Sequence, residues 1–179
     1  MTIFLCGFMG CGKSTVGKRL AKQLDCPFTD MDTYIEEQAG KTIPEIFAQD
    51  GEPHFRDLET QAVRDLAAQE GVIACGGGAM LREVNAKIAK ENGTVIFLDV
   101  PFRLCYQRIA NTDRPIVRRS TREELYQLYS HRRGIYRAHS TKRIRAIKSP
   151  SATVEEILRL LQPEKESADF RTHDTGECK

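Results

Sequence analysis

The chain is poor in several features that would settle its class at once, and each shortage excludes something. No apolar run approaches the roughly 20 residues that a helix needs to cross a bilayer. The first residues, Met1-Thr2-Ile3, pass straight into a strand-like run and leave no room for a leader segment. A soluble, cytoplasmic protein with no membrane partner is expected. The six cysteines (Cys6, Cys11, Cys26, Cys75, Cys105, Cys178) form no C-x-x-C pair and have no histidines at metal spacing, which points to free thiols. The formal charge of +2 is too small to imply nucleic acid by itself, so a positive site must come from local clustering, and that begins at residue 114. No internal repeat and no Asn-Lys-x-Asp guanine signature is visible. What remains is ordinary: 179 residues, 40% hydrophobic and 29% charged, enough for one domain that buries roughly 70% of its unfolded surface.

Against that background one stretch stands out. Ile3 to Cys6 is a short apolar run, and Gly7 to Ser14 fits G-x-x-x-x-G-K-[ST]. Lys13 to Leu24 then repeats apolar residues at Val16, Leu20, Ala21 and Leu24, the spacing of one helix face, until Cys26-Pro27 stops it. Strand, glycine loop and helix together make a concave anion site, because the loop's N–H groups turn inward and the helix adds its positive end. Nucleotide phosphates suit it. Lys13 would reach the β- and γ-phosphates, and the Ser14 hydroxyl would hold Mg²⁺, a hard cation that prefers oxygen.

Further along, Phe28 to Asp32 reads as a short extended piece. On a strand Asp30 and Asp32 would project to the same side, beside the phosphates, where they suit magnesium and an acceptor hydroxyl. On local signals the pair reads equally well as turn aspartates capping a helix that begins near Thr33. Short helices are expected over 33–39 and 42–49, and a longer one over 52–68 whose charged run includes Arg56, by pattern alone a solvated or ion-paired arginine. Val72 to Cys75 is a second buried run, followed by Gly76-Gly77-Gly78; three glycines there mean either a sharp turn or the close approach of a ligand. A helix over 82–91, a strand over 94–100 and a helix opened by Pro101 continue the alternation, which calls for a parallel sheet covered on both faces. Residues 111–120 read as a loop carrying Arg114, Arg118 and Arg119, placed to fold over bound nucleotide or to serve as a solvated connector. Thr121 to Glu124 is a capping box opening another helix, a weak strand lies at 143–147, a final helix at 152–161, and 163–179 reads as a disordered tail.

Taken in order, Gly7 to Gly17, Asp30-Met31-Asp32, Phe55-Arg56, Gly76-Gly77-Gly78, Arg114-Pro115 and Arg132 four before Tyr136 resemble the shikimate kinase family over about residues 2–161. The resemblance implies a three-layer α/β/α fold with a five-stranded parallel sheet in the order 2-3-1-4-5. It also implies a kinase domain over 1–162, with a substrate-binding region at about 32–60 and a lid at about 111–121. The implied activity is ATP-dependent phosphorylation of the 3-hydroxyl of shikimate, by an enzyme acting as a monomer. Matched residue by residue, Gly10, Cys11, Gly12, Lys13, Ser14 and Thr15 hold ATP, Ser14 binds Mg²⁺ directly and Asp30 binds it through water. Asp32, Arg56, Gly77, Gly78 and Arg132 hold shikimate, and Lys13, Asp32 and Arg114 are the catalytic residues, with Arg114 also on the nucleotide. The chain departs from the pattern at Ala146 to Pro150, where the adenine-side residues differ, and there Arg108 is a candidate to stack on the base. Alternatives are a kinase for another hydroxy acid such as gluconate, and a nucleotide switch or nucleic-acid binder. The interleaving of the basic residues with Glu123, Glu124 and apolar positions argues against the latter.

Overall fold

The computed structural model describes residues 1–112, 115–147 and 149–162. Its centre is β1 (Thr2–Cys6), buried at every position, which is the environment that an unbroken apolar strand demands. It pairs in parallel with β3 (Gly71–Ala74) on one side and β4 (Gly93–Leu98) on the other. β2 (Phe28–Asp30) lies outside β3, and β5 (Lys142–Ile144) lies outside β4, giving the order β2-β3-β1-β4-β5. The expected five-stranded sheet is therefore present. Its register places Leu5 opposite Ala74 and Ala74 opposite Asp30, so the segments leaving β1, β3 and β2 emerge side by side.

The helices follow from their apolar faces and caps. α1 (Lys13–Leu24) buries Val16, Gly17, Leu20 and Ala21, packs on α9 (Pro150–Leu161) and covers β1, β2 and β3. α2 (Met31–Ala39) and α3 (Ile43–Gln49) lead into α4 (Gly51–Ala67); Glu45 accepts from Thr42 N at 2.8 Å at the start of α3. α5 (Glu83–Asn92) packs on α4, on β4 and on α8 (Arg122–His139). The Thr121 capping box that opens α8 is formed, with Glu124 N on Thr121 Oγ1 at 3.2 Å and Thr121 N on Glu124 Oε2 at 2.7 Å. α6 is Phe102–Ile109. Between it and α8, the residues read as loop include a five-residue helix, α7 (Pro115–Arg119). Pro115 supplies a fixed φ for a helical first turn, a signal that the arginine count obscured. Asp113 and Arg114 lie outside the described residues, as do Lys148 and the 163–179 segment read as a disordered tail.

Among the described residues the five cysteines are free. Burial pushes the Cys6 and Cys105 thiols up to about 12, so they behave as small apolar side chains. No helix among the described residues is long and apolar enough to cross a membrane.

Candidate active site

The loop between β1 and α1 holds three glycines at left-handed φ: Gly7 at 144°, Gly10 at 77° and Gly12 at 96°. At Gly10 space forbids a side chain as firmly as backbone does, since a Cβ there would lie 2.7 Å from Cys105 O. The loop is thereby seated against α6. Lys13 Nζ folds over it and donates to Gly7 O at 3.0 Å. Cys11 is buried at the loop's inner side, and its backbone N donates to Phe8 O at 3.1 Å.

The aspartate pair departs from the strand reading. Only Asp30 ends β2; Asp32 stands in the first turn of α2, and Asp30 is that helix's N-cap, accepting from Asp32 N at 3.2 Å. A capping carboxylate satisfies a free helical N–H, so the helix starts two residues earlier than the hydrophobic spacing suggests. The other Asp30 oxygen accepts from Ser14 Oγ at 2.6 Å. Capping and site geometry are thus served by one residue. Gly12, Lys13, Ser14, Asp30, Asp32 and Gly77 all line one cavity of about 220 Å³. Ser14 and Asp30 present adjacent hard oxygens beside the phosphate loop. That suits magnesium, which takes one or two protein oxygens and completes its shell with phosphate and water. No group of three or more His, Cys, Asp or Glu side chains that could hold a metal ion occurs among the described residues.

Gly77, which lines that cavity, is the middle one of the three glycines after β3. Gly78 has an ordinary φ of −102°, so no turn requires glycine there. Close approach does. A Cβ on Gly78 would lie 2.1 Å from Arg56 Nη1, and one on Gly76 would lie 2.5 Å from Asp32 Oδ1. Gly77 is 4.0 Å, by the same measure, from Arg132 Nη1. Asp32 from α2, Arg56 from α4 and Arg132 from α8 therefore converge on one glycine segment, beside the phosphate loop.

Arg56 is held by two carboxylates. Its Nη1 donates to Glu59 Oε2 at 2.6 Å, and its Nε and Nη2 donate to Glu52 Oε1 at 3.1 and 2.7 Å. Glu59 is 1% exposed, and burial raises its pKa while the hydrogen bond from Arg56 opposes the rise; Asp32 and Arg132 both act on it electrostatically. Sequence reasoning passed over Glu59. The signal was present: it sits four residues after Phe55 and four before Val63, on the stripe α4 buries, where an unpaired carboxylate would be costly.

Arg108 Nη1 donates to Gly10 O at 2.9 Å. It borders a second cavity, of about 200 Å³, with Thr15, Ala146, Pro150 and Thr153. Arg114 cannot be placed, since it lies outside the described residues.

A shikimate kinase family profile matches residues 9–162. The chain belongs to the shikimate kinase family. A shikimate kinase of a Sulfurihydrogenibium species is 42% identical over 158 residues, which is 87% of this chain and 95% of that one. Among solved structures, a shikimate kinase from Acinetobacter baumannii in complex with shikimate superposes with a TM-score of 0.83 at 36% identity, covering 89% of this chain and 91% of that one. A gluconokinase from Sinorhizobium meliloti, at 18% identity and a TM-score of 0.55, shares the fold alone. Membership of the shikimate kinase family makes the chain a phosphotransferase with ATP as co-substrate.

Proposed function

We propose that the site transfers the γ-phosphoryl group of ATP to the 3-hydroxyl of shikimate, giving shikimate 3-phosphate and ADP. The observation that carries this reading is the convergence of Asp32, Arg56 and Arg132 on Gly76 to Gly78, next to the phosphate loop. Shikimate has one carboxylate and three hydroxyls. Two guanidinium forks match a planar carboxylate, and the buried Glu59 keeps Arg56 aimed when the substrate is absent. Gly77 leaves room for the ring, and Gly78 leaves room for Arg56.

Gly10 through Thr15 supply the N–H cradle for the phosphates, and Lys13 swings from Gly7 O onto the β- and γ-oxygens. As the substrate oxygen bonds to the γ-phosphorus and the bridging bond to ADP breaks, Asp32 accepts the hydroxyl proton. Arg114, matched by the family's motif, adds positive charge at the moving group, and Arg108 borders the adenine end. Ser14 would hold Mg²⁺ directly and Asp30 through water; the ion supplies neutralisation of the phosphate oxygens.

A coupled assay of ADP release with ATP, Mg²⁺ and either shikimate or gluconate tests the reading. Shikimate is expected to exceed gluconate in kcat/KM by at least about a hundredfold, since a site built for one hydroxyl pattern leaves buried polar groups unpaired with the other. Equal or reversed preference would replace shikimate with another hydroxy acid.

A further inference from the structure

Of the two guanidinium groups offered to the substrate carboxylate, Arg56 is locked by Glu52 and Glu59. Arg132 belongs to a side-chain type with more rotamer freedom than almost any other, so its aim needs a partner of its own. One helical turn further along α8 stands Tyr136, 1% exposed, its ring tilted against Phe97 at 5.6 Å. Tyr136 Oη donates to Gly77 O at 2.6 Å, and Arg132 Nη1 stands 4.0 Å from where a Cβ on Gly77 would lie. A phenol has one proton, which here goes to the carbonyl, so the oxygen's lone pairs are left for a cation such as the guanidinium of Arg132. Burial raises the phenol's pKa, which keeps it a donor across the working range.

Gly77 is also the residue nearest Arg132 in the glycine segment. One hydroxyl therefore holds the backbone on which the substrate would rest, beside the arginine that would grip it. A separate contact, His139 Nδ1 with Met80 O at 2.9 Å, holds the end of α8 to the same chain segment without involving Arg132.

We propose that Tyr136 is a positioning residue for substrate binding: it sets Arg132 and the Gly77 carbonyl in register through a single hydroxyl. This rests on the shikimate reading above. The test compares Tyr136→Phe, Arg132→Ala, the double variant and His139→Ala by steady-state kinetics and thermal unfolding. Tyr136→Phe keeps the ring and removes the hydrogen bond that seats Gly77 O beside Arg132, so the KM for shikimate is expected to rise about tenfold with kcat and the KM for ATP nearly unchanged. In the Arg132→Ala background the same change is expected to add less than about twofold, because the arginine it aims is gone. His139→Ala is expected to lower Tm without raising the KM for shikimate. A Tyr136→Phe enzyme with wild-type KM overturns the proposal, as do additive effects in the double variant or an equal KM rise in His139→Ala. If instead the wild-type chain turns over no shikimate at all, it is the functional reading that fails.

Discussion

Asp32 and Gly78 carry different burdens, and single substitutions separate them. Asp32→Asn removes the proton acceptor but keeps the shape, so turnover is expected to fall by about 10²-fold or more while ATP affinity, measured by calorimetry, is unchanged. Wild-type turnover in that variant would move the base elsewhere. At Gly78 the backbone is already compatible with alanine, at φ −102°, yet the new Cβ would stand 2.1 Å from Arg56 Nη1. The arginine must leave its place between Glu52 and Glu59. The Gly78→Ala enzyme is therefore expected to fold, to bind ATP, and to show a KM for shikimate raised by about tenfold or more through loss of a charge-assisted contact. A KM close to wild type would show that Arg56 does not face the substrate.

Among the elements, α8 is fixed at several points: Arg133 pairs with Asp99 at 2.7 Å, Tyr129 Oη donates to Val100 O at 3.0 Å, and Tyr136 and His139 grip the segment after β3. Asp99, just beyond β4, is 3% exposed and also accepts from Arg143 Nε of β5 at 2.8 Å. Burial pushes its pKa up, but hydrogen bonds from Arg133 and then Arg143 outweigh that and hold the carboxyl below its ordinary value. With a folded-state pKa lower than the unfolded one, the group contributes stability at every pH above the ordinary carboxylate range and loses it as pH falls through the depressed value. Asp99→Asn is expected to cost about 2 kcal/mol at pH 7 in urea unfolding, less than a wholly buried pair because both arginines can turn to water. The difference from wild type should shrink as pH falls below the ordinary carboxylate range. An equal gap at all pH values would rule out the charge as its source. Much at this scale was legible in the sequence. The β1 run, the α1 periodicity and the Thr121 capping box each signal locally and correctly. The Asp30 cap was not separable from a strand end, because one carboxylate serves both. Glu59 was readable as a carboxylate on a buried stripe three residues from Arg56, whereas the contact of Tyr136 with Gly77 joins residues far apart along the chain and no local pattern carries it.

For the molecule as a whole, the phosphate loop and the glycine segment leave adjacent strands but bind, on this reading, different ligands. Each ligand should stabilise the fold independently, by about 2.7 kcal/mol at a concentration one hundred times its Kd. In thermal unfolding, Gly78→Ala is expected to keep the Tm increase given by ATP and to lose about half or more of that given by the same concentration of shikimate. Loss of both would mean that the two sites are one cooperative unit. Strands in a sheet stand about 4.8 Å apart, so the ends of β1, β3 and β2 work as teeth on a ruler, setting phosphate cradle, acceptor seat and capping carboxylate at intervals that no side chain has to measure. An acceptor whose hydroxyl is displaced by one bond length would be out of step with that ruler, and would bind without reacting however well its carboxylate is held.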